Sequence, residues 1–360
     1  MISKYSKAIK IANLILPTLL LIQCASIEHD IIWLSGEDGY DTYRIPAITV
    51  TTAGTLLTFC EGRRSNSDDS GDIDLLMKRS IDGGGTWSEQ QVIWDGGLNT
   101  CGNPAPVVDW ETGTIWLLST WNHGEDEEWE IRERKGNDTR RVYVFSSTDD
   151  GLTWSEPREI TATTKEPSWT WYATGPGSGI QLERGQYQGR LVVACDHIRE
   201  VTFHYYSHVI YSDDHGKTWN LGGISPDRTV NESEVVELTD GRLLLNMRNY
   251  NEALKARQVA FSKDGGATWT DQAFDSTLIA PTCQASIQRY SWPDEQNDNV
   301  ILFSNPASTD SRIKMTVRAS TDDCKTWPLK LELHAGPSAY SDIVVYGDGV
   351  IGCLYERGDE

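Results

Sequence analysis

Residues 212–219 read SDDHGKTW, and this pattern, S-x-D-x-G-x-T-W, decides the fold because the chain repeats it. Side chains of Ser and Asp bond nearby backbone N–H groups, and Gly adopts a positive φ, so each copy is typical of a tight turn between two strands. Three further copies are complete, and a fifth carries Cys324 in place of the glycine. These four copies are residues 80–87, 147–154, 262–269 and 320–327.

The spacing of the copies indicates the size of the repeating unit. A short strand pattern precedes each copy, and Asp82 in the first is separated from Asp322 in the fifth by four repeats of roughly 60 residues. This length exceeds one hairpin and suits a four-stranded sheet. In an all-β chain, such a period predicts a β-propeller. Because the repeats run along the whole chain, one domain is expected.

The charge balance limits the partners. The 360 residues carry a formal net charge of −21, which argues against nucleic acid as a partner. An anionic substrate would need a local cluster of basic side chains. No CxxC spacing occurs, and His204 and His208 share a strand face without nearby ligands, so neither a metal nor a cofactor is expected. The six cysteines after Cys24 permit disulfides, although isolated cysteines in strands are commonly buried thiols.

Residues 1–26 predict an export signal ahead of a domain over residues 27–360. Three lysines precede the apolar run of residues 11–22, which is too short to span a membrane comfortably. The run ends in LIQC, which resembles a bacterial lipobox with Cys24 as the lipidated residue, although Gln23 occupies a position where a small residue is usual. Ordinary cleavage near Ser26 is the alternative. The protein is therefore expected in the periplasm, on the outer membrane as a lipoprotein, or secreted.

Residues 43–46, YRIP, resemble the F/Y-R-I-P signature of the sialidases, whose six-bladed propellers carry the repeated turns as Asp-boxes. The resemblance continues in order through nearly all of the chain after residue 26. It implies an all-β fold, a six-bladed propeller of four-stranded antiparallel sheets. Relatives continue for about one more strand beyond the last matching segment, so the last blade is expected to be incomplete.

Arginines inside apolar strand patterns are costly unless they have partners. By the resemblance, Arg44, Arg248 and Arg312 match the arginine triad that binds a substrate carboxylate, and Glu356 matches the glutamate that orients the first of them. Three guanidinium groups on one carboxylate give charge-assisted, bidentate bonds that lysine does not match in geometry.

The polar loop at residues 61–74 holds the next match. Asp69 corresponds to the general acid/base of the family, with Asp68 and Asp72 as near alternatives, and Arg64 corresponds to an additional substrate arginine.

Two later segments match the remaining catalytic groups. Tyr340, in residues 339–342, corresponds to the nucleophile, and Glu232, in residues 231–238, to its partner base. A tyrosine suits an anionic sugar because a carboxylate nucleophile would be repelled.

Other segments are assigned less specific roles. By the resemblance, Asn103 contacts the N-acetyl group, and residues 169–179 help to wall the site. Asp196 and His197 are expected to border the glycerol side chain of a substrate. The acidic residues 125–130 and the basic residues 132–141 are interpreted as an exposed excursion without chemistry.

The resemblance implies a monomeric exo-α-sialidase that hydrolyses terminal α-linked sialic acid with retention of configuration, in the catabolism of gangliosides and glycoproteins. Its partners would be sialylated glycans, glycoproteins or glycolipids, and its membrane contact would be limited to a lipid anchor at Cys24. One alternative is a sialic-acid-binding propeller without catalysis, which would not need Asp69, Glu232 and Tyr340 together. Others are a trans-sialidase, a hydrolase of related nonulosonic acids, or a propeller hydrolase of neutral polysaccharides, which needs no arginine triad.

Overall fold

The computed structural model describes residues 5–11, 27–294 and 296–358, and strands dominate these residues. Two short helices, α1 (Glu128–Arg132) and α2 (Thr161–Thr164), and a 3-10 turn at Gly185–Tyr187 interrupt the strands. The described strands, in chain order, are β1 (Tyr5–Ile11), β2 (Ile27–Leu34), β3 (Thr42–Val50), β4 (Leu56–Arg63), β5 (Ile73–Ser80), β6 (Gln91–Trp94), β7 (Thr100–Val108), β8 (Ile115–Asn122), β9 (Arg141–Ser147), β10 (Arg158–Glu159), β11 (Trp169–Thr174), β12 (Ile180–Gln181), β13 (Leu191–Arg199), β14 (Tyr205–Ser212), β15 (Asn220–Ile224), β16 (Val230–Glu237), β17 (Leu243–Asn249), β18 (Ala256–Ser262), β19 (Thr270–Ile279), β20 (Ser286–Ser291), β21 (Val300–Pro306), β22 (Ile313–Ser320), β23 (Leu329–Tyr346) and β24 (Val350–Arg357).

Pairing between consecutive strands is antiparallel, so the expected all-β class with antiparallel sheets is confirmed. Within the described residues, the sheet orders are β2-β1-β24-β23-β22-β21-β20, β10-β9-β8-β7-β5-β4-β3 with β6 beside β5, β11-β13-β14-β15 with β12 beside β13, and β16-β17-β18-β19.

Contacts between the first strands of successive units close a ring. β3 contacts β7, β7 contacts β11 and β13, β13 contacts β16, β16 contacts β20, β20 contacts β23, and β23 returns to β3. Residues far apart in sequence therefore meet at the centre of this ring.

The five Asp-boxes form the expected turns. In residues 212–219, the Ser212 hydroxyl accepts the N–H of Gly216 at 2.8 Å and donates to Asp214 at 2.9 Å, and Asp214 accepts the N–H of Thr218 at 2.8 Å. Cys324 adopts a φ of 63° and keeps the equivalent N–H bond to a serine hydroxyl at 3.0 Å. The degenerate fifth copy thus has the same turn despite its Cβ atom.

The Asp-box turns also connect neighbouring sheets, because the residue after the central Asp reaches the preceding unit. The contacts are Thr55 to Asp150 at 2.5 Å, the His215 ring to Asp109 at 2.9 Å, and the Tyr346 hydroxyl to the Gly83 carbonyl at 3.1 Å.

The described cysteines are all free and buried, in agreement with the interpretation of isolated strand cysteines as buried thiols. They are Cys60, Cys101, Cys195, Cys283, Cys324 and Cys353.

The beginning of the chain differs in part from expectation. Residues 1–26 were expected outside the fold, whereas β1 pairs along its whole length with β24 on one side and β2 on the other. The physical reason is that the edge of β24 offers unpaired N–H and C=O groups, which β1 satisfies. The apolar run beyond Ile11 and Cys24 lie outside the described residues, so the export signal stays a prediction. No described helix is long and apolar enough to cross a membrane.

Candidate active site

A polar pocket lies where the inner strands of the ring converge. It joins side chains from β3, β16, β17 and β23 with loops before β5 and β22. The predicted site residues that line it are Arg44, Asp69, Asn103, Glu232, Arg248, Arg312 and Tyr340.

The hydroxyl of Tyr340 lines the pocket and donates a hydrogen bond to the carboxylate of Glu232. Arg248 donates to the other carboxylate oxygen of Glu232 at 2.5 Å and to the Tyr340 hydroxyl at 3.0 Å. Burial raises the pKa of Tyr340 well above its usual range, and the charge of Glu232 adds to this, while Arg248 opposes it. The phenol is therefore neutral in the free protein, with a base already in contact.

Glu356, the residue predicted to orient Arg44, forms an ion pair with it. The guanidinium of Arg44 donates to the two oxygens of Glu356 at 3.2 and 3.3 Å, and the backbone N–H of Ile45 donates to the same carboxylate at 2.9 Å. Ile45 adopts a φ of 58°, which is a strained conformation for a β-branched residue. Glu356 binds both the side chain of Arg44 and the backbone of Ile45, so this segment is fixed in place. The guanidinium of Arg44 lies 5.2 Å from the centre of the Tyr340 ring.

Arg312 completes the cationic side of the pocket. It donates to the carbonyl oxygen of Thr282 at 3.3 Å, and its guanidinium lies 5.7 Å from the centre of the Tyr340 ring. Neither of these contacts neutralises its charge. Together with Arg44 and Arg248, it makes a positive cluster around one phenol in a protein whose net charge is −21.

Asp69 lies at the mouth of the pocket, on the loop between β4 and β5. Its side chain is 71% exposed, and it pairs with Arg63 at 2.8 Å and with Arg44 at 3.5 Å. Desolvation by the surrounding residues opposes ionisation of the carboxyl. The charges of Arg63 and Arg44 outweigh this effect and lower the pKa of Asp69. Of the alternatives, Asp68 is exposed and Asp72 pairs with a neighbouring arginine away from the pocket.

The arginine beside this loop that lines the pocket is Arg63, the last residue of β4, whereas Arg64 lies outside the pocket. Arg64 pairs with Asp74 at 2.7 Å and Asp72 at 3.3 Å, and its guanidinium stacks 4.7 Å from the ring centre of Tyr40. Adjacent residues of an extended strand point to opposite faces, so a match displaced by one residue selects the wrong side of the strand. Arg64 was predicted from the sequence as a substrate arginine, but the arginine that lines the pocket is its neighbour Arg63.

Asn103 lies in the pocket at an irregularity of β7, with a φ of 55°. Its backbone N–H donates to Glu61 at 2.8 Å, and its side-chain oxygen accepts hydrogen bonds from Arg140 at 2.7 Å and Thr120 at 3.1 Å. The side chain is therefore held in one orientation.

The charged runs at residues 125–130 and 132–141 were interpreted as an exposed excursion, yet they bring two side chains to the pocket. Glu128 accepts a hydrogen bond from the Tyr205 hydroxyl at 2.9 Å. Arg140 is buried and lies 3.9 Å from the ring centre of Trp171.

Ile131 could have indicated from the sequence that this segment is not an exposed excursion. This apolar residue lies inside the charged run and is buried, so the segment packs against the domain and does not stand away from it.

Asp196 lines the pocket, whereas its neighbour His197 points into the protein. Both carboxylate oxygens of Asp196 lack a hydrogen-bond partner among the described residues. Burial raises the pKa of Asp196 well above its usual range, and Glu232 contributes to the rise. His197 stacks on Trp169 at 3.4 Å between ring centres, and its Nδ1 atom lies 3.1 Å from that of His208.

Comparison with known proteins identifies the family. A family profile described as a BNR repeat-like domain matches residues 54–353. The sialidase of Micromonospora viridifaciens is 39% identical over 343 residues, which cover 90% of this chain and 51% of the relative. An exo-alpha-sialidase of Aspergillus fumigatus is 31% identical over 361 residues, covering 90% of this chain and 80% of the relative. The chain belongs to the sialidase family.

Solved sialidase structures share the fold. A Hadza microbial sialidase superposes with a TM-score of 0.82 at 35% identity, over 90% of this chain and 65% of the other. A leech intramolecular trans-sialidase superposes with a TM-score of 0.76 at 19% identity, which shows a common fold alone. This sialidase-family chain spans 51% of the length of the Micromonospora viridifaciens relative and 61% of that of a Bacteroides fragilis sialidase.

Proposed function

We propose that the protein is an exo-α-sialidase that releases terminal α-linked sialic acid from glycans with retention of configuration. One observation carries this proposal: the neutral Tyr340 hydroxyl contacts Glu232 and lies among the guanidinium groups of Arg44, Arg248 and Arg312.

The three arginines would bind the carboxylate at the anomeric carbon of sialic acid. Arg44 and Arg248 each have a carboxylate of the protein as a partner, in Glu356 and Glu232, which orients them. Charge-assisted bonds of this kind contribute about 1.5–3 kcal/mol each. They place the anomeric carbon over Tyr340.

Tyr340 would then attack the anomeric carbon. Its high pKa means that the proton must leave as the new C–O bond forms, and Glu232 is in contact to accept it. The product of this step is a sialyl group bound to the phenol oxygen, which suits a retaining mechanism with a tyrosine nucleophile.

Asp69 would donate a proton to the glycosidic oxygen as that bond breaks and later take a proton from the attacking water. In the free protein, Arg63 and Arg44 favour its carboxylate form. A substrate carboxylate bound at Arg44 offsets part of that positive charge, which raises the pKa of Asp69 and favours the acid form. Substrate binding thus prepares the acid.

The fold part of the proposal is a six-bladed propeller of four-stranded sheets. The closed ring of contacts from β3 through β7, β13, β16, β20 and β23 supports it, because each of these six strands contacts the next and β23 returns to β3. We also propose export, on the composition of residues 1–26. A chain expressed with Cys24→Ser should lose membrane association if Cys24 carries the anchor, whereas an unchanged distribution would favour ordinary cleavage near Ser26.

The products separate hydrolysis from its alternatives. Purified protein incubated with 3'-sialyllactose should release free sialic acid, measured by mass spectrometry. Binding without release would favour the non-catalytic propeller. The leech intramolecular trans-sialidase is complexed with 2,7-anhydro-Neu5Ac, and formation of that anhydro sugar by this protein would favour intramolecular transfer.

A further inference from the structure

A second pocket lies at the opposite end of the ring from the active site. On β3, Arg44 of the active site comes first, and Ile48 and Val50 of the second pocket follow it; on β23, Tyr340 comes before Ile343 in the same way. At about 3.3 Å per residue, Val50 lies roughly 20 Å along the strand from Arg44. The empty volume of the second pocket is about 730 Å³, close to the 750 Å³ of the active site. Both ends of the ring therefore have room for a small ligand.

Trp110 gives the second pocket an accessible aromatic face. This residue follows β7, lines the pocket and is 53% exposed. Its backbone N–H donates to Oε1 of Gln181 at 2.7 Å, and Nε2 of Gln181 donates to Asp109 at 2.9 Å. No described residue forms a hydrogen bond with the indole of Trp110 or stacks on it. The backbone of Trp110 is thus fixed, while its ring is open to a ligand.

A second tryptophan, Trp292, lines the same pocket as a fixed wall. Its Nε1 atom donates to Glu183 at 2.9 Å, and the guanidinium carbons of Arg184 and Arg289 lie 4.0 and 3.8 Å from its ring centre. The ring of Trp292 is therefore already packed against cations and is not available for stacking. Glu183 follows Gln181 by two residues, so the two tryptophans are joined to one short segment.

Arg289 is the one basic side chain among the described residues that line this pocket, and it has its donors in use. Its Nε and Nη2 atoms donate to the carbonyl oxygen of Glu237 at 3.0 and 2.6 Å. Its Nη1 atom donates to the carbonyl oxygen of Ser291 at 3.0 Å and to Asn299 at 2.8 Å. The second pocket thus has no cationic group poised for a carboxylate, in contrast to the active site.

The polar groups that remain available suit hydroxyl groups. One carboxylate oxygen of Glu183, the amide of Gln288 and the hydroxyl of Thr49 line the pocket without a hydrogen bond to any other described residue. A neutral pyranose has hydroxyl groups that bond such donors and acceptors, and C–H groups that pack on an aromatic face. An anionic sugar would instead meet the negative charge of Glu183 without a free cation to offset it.

We propose that this pocket is a second glycan site, which binds a neutral pyranose with its C–H face on Trp110 and its hydroxyl groups at Glu183 and Gln288. The site goes beyond the proposed hydrolysis, because it needs none of the catalytic groups. The two ends of the ring would then differ in charge preference: the active site takes the anionic terminal sugar, and the second site takes uncharged sugars.

Saturation-transfer NMR of the purified protein tests this binding directly. The probes are the methyl glycosides of galactose, glucose, mannose and N-acetylglucosamine, each measured with and without an excess of free sialic acid. We expect transfer to the C–H protons of at least one probe, with a Kd on the order of 1 mM. Sialic acid should not displace that probe, because the two pockets lie at opposite ends of the ring.

Trp110→Ala should weaken binding of that probe by about tenfold or more, as is usual for removal of a central aromatic contact. This variant should fold, since the residue is half exposed and is held through its backbone. Trp129→Ala is the matched control, because Trp129 is 43% exposed and lies outside both pockets. It should bind the probe as wild type does.

A charge variant provides a second, independent test. Wild type should bind methyl glucuronide at least about tenfold more weakly than methyl glucoside, because the added carboxylate faces Glu183. In Glu183→Gln the amide oxygen can still accept the hydrogen bond from Trp292, so the wall is kept while the charge is lost. The discrimination against the glucuronide should then shrink.

The outcomes are separate from those of the proposed function. Absence of transfer to every probe, equal binding in Trp110→Ala and wild type, or displacement of the probe by sialic acid would overturn the second site. A protein that binds the probe but releases no sialic acid from 3'-sialyllactose would overturn the proposed hydrolysis and leave the second site standing.

Discussion

The hydroxyl of Tyr340 on β23 donates a hydrogen bond to the carboxylate of Glu232 on β16, 108 residues earlier in the chain. Neither residue lies near the other in sequence, and only the closed ring of sheets brings them together. Since Arg248 on β17 contacts both, the base, the phenol and one cation form a single hydrogen-bonded unit. The proposed chemistry depends on this unit.

Removal of the Tyr340 hydroxyl should abolish turnover without unfolding the protein. Tyr340→Phe keeps the ring among the arginines and leaves Glu232 paired with Arg248. We expect kcat on an aryl sialoside to fall by about a thousandfold or more, as for other lost nucleophiles. Tyr346→Phe is the control, because that hydroxyl bonds the Gly83 carbonyl away from the pocket. Near wild-type turnover in Tyr340→Phe would show that another group attacks.

Replacement of Arg312 by lysine should weaken recognition of the sugar carboxylate. Lysine keeps the charge but loses the planar, bidentate geometry. A loss of about 1.5–3 kcal/mol corresponds to a roughly 10- to 100-fold fall in kcat/KM, with a matching rise in the inhibition constant of free sialic acid. Arg318→Lys, on the strand β22 that directly follows Arg312 but outside the pocket, should change neither constant. An unaffected Arg312→Lys variant would remove this arginine from the triad.

Loss of the Asp69 carboxyl should show a dependence on the leaving group. We expect Asp69→Ala to lose about 100- to 10,000-fold on 3'-sialyllactose and much less on an aryl sialoside. The neighbouring Asp68→Ala should behave like wild type, because Asp68 contacts Arg63 through its backbone carbonyl. Equal losses in Asp69→Ala on the two substrates would assign the acid to another residue.

The buried pair His197 and His208 should make the protein less stable in mild acid. Burial lowers the pKa of His208 to about 3 and that of His197 well below its usual value, to which the neighbouring His208 adds. Unfolded histidines bind protons below about pH 6.5, whereas the folded pair does not. The free energy of unfolding should therefore be unaffected by the histidines above pH 6.5. Below that pH it should fall by about 1.4 kcal/mol per pH unit for each histidine.

Urea unfolding at pH 7.5 and pH 5.0 measures this effect. In His208→Phe, one titrating group is removed while an aromatic ring remains beside Trp169 and Tyr172. The loss of stability between the two pH values should be smaller in this variant than in wild type. The same loss in both proteins would assign the acid sensitivity to other groups.

The Asp-boxes made the repeated all-β architecture predictable, because their hydrogen bonds are local and each residue type has a fixed role in the turn. Arg44 and Arg248 could be singled out for a related reason, because a charge within an apolar strand needs a partner or a ligand, whereas Arg312 was assigned by the resemblance to the family. Both signals depend only on residues that are close together in the sequence.

Features that depend on the exact orientation of a side chain or strand were harder to predict from the sequence. The choice between Arg63 and Arg64 depends on which face of β4 meets the pocket, and the loop sequence does not fix that face. Arg140 lines the pocket although it belongs to a strongly charged run, and the apolar Ile131 earlier in the same segment is buried. The pairing of β1 with β24 depends on a strand edge that is 340 or more residues away in sequence.

Trapping the intermediate on Tyr340 would test the proposed nucleophile without relying on the loss of activity in a variant. The protein would be incubated with 2,3-difluorosialic acid, whose fluorine at carbon 3 slows the second step, and then digested and mapped by mass spectrometry. We predict one added fluorosialyl group on the peptide that contains Tyr340, and no such addition in Tyr340→Phe. An active wild-type protein that gains no mass, or gains it at another residue, would contradict the assignment of Tyr340 as the nucleophile.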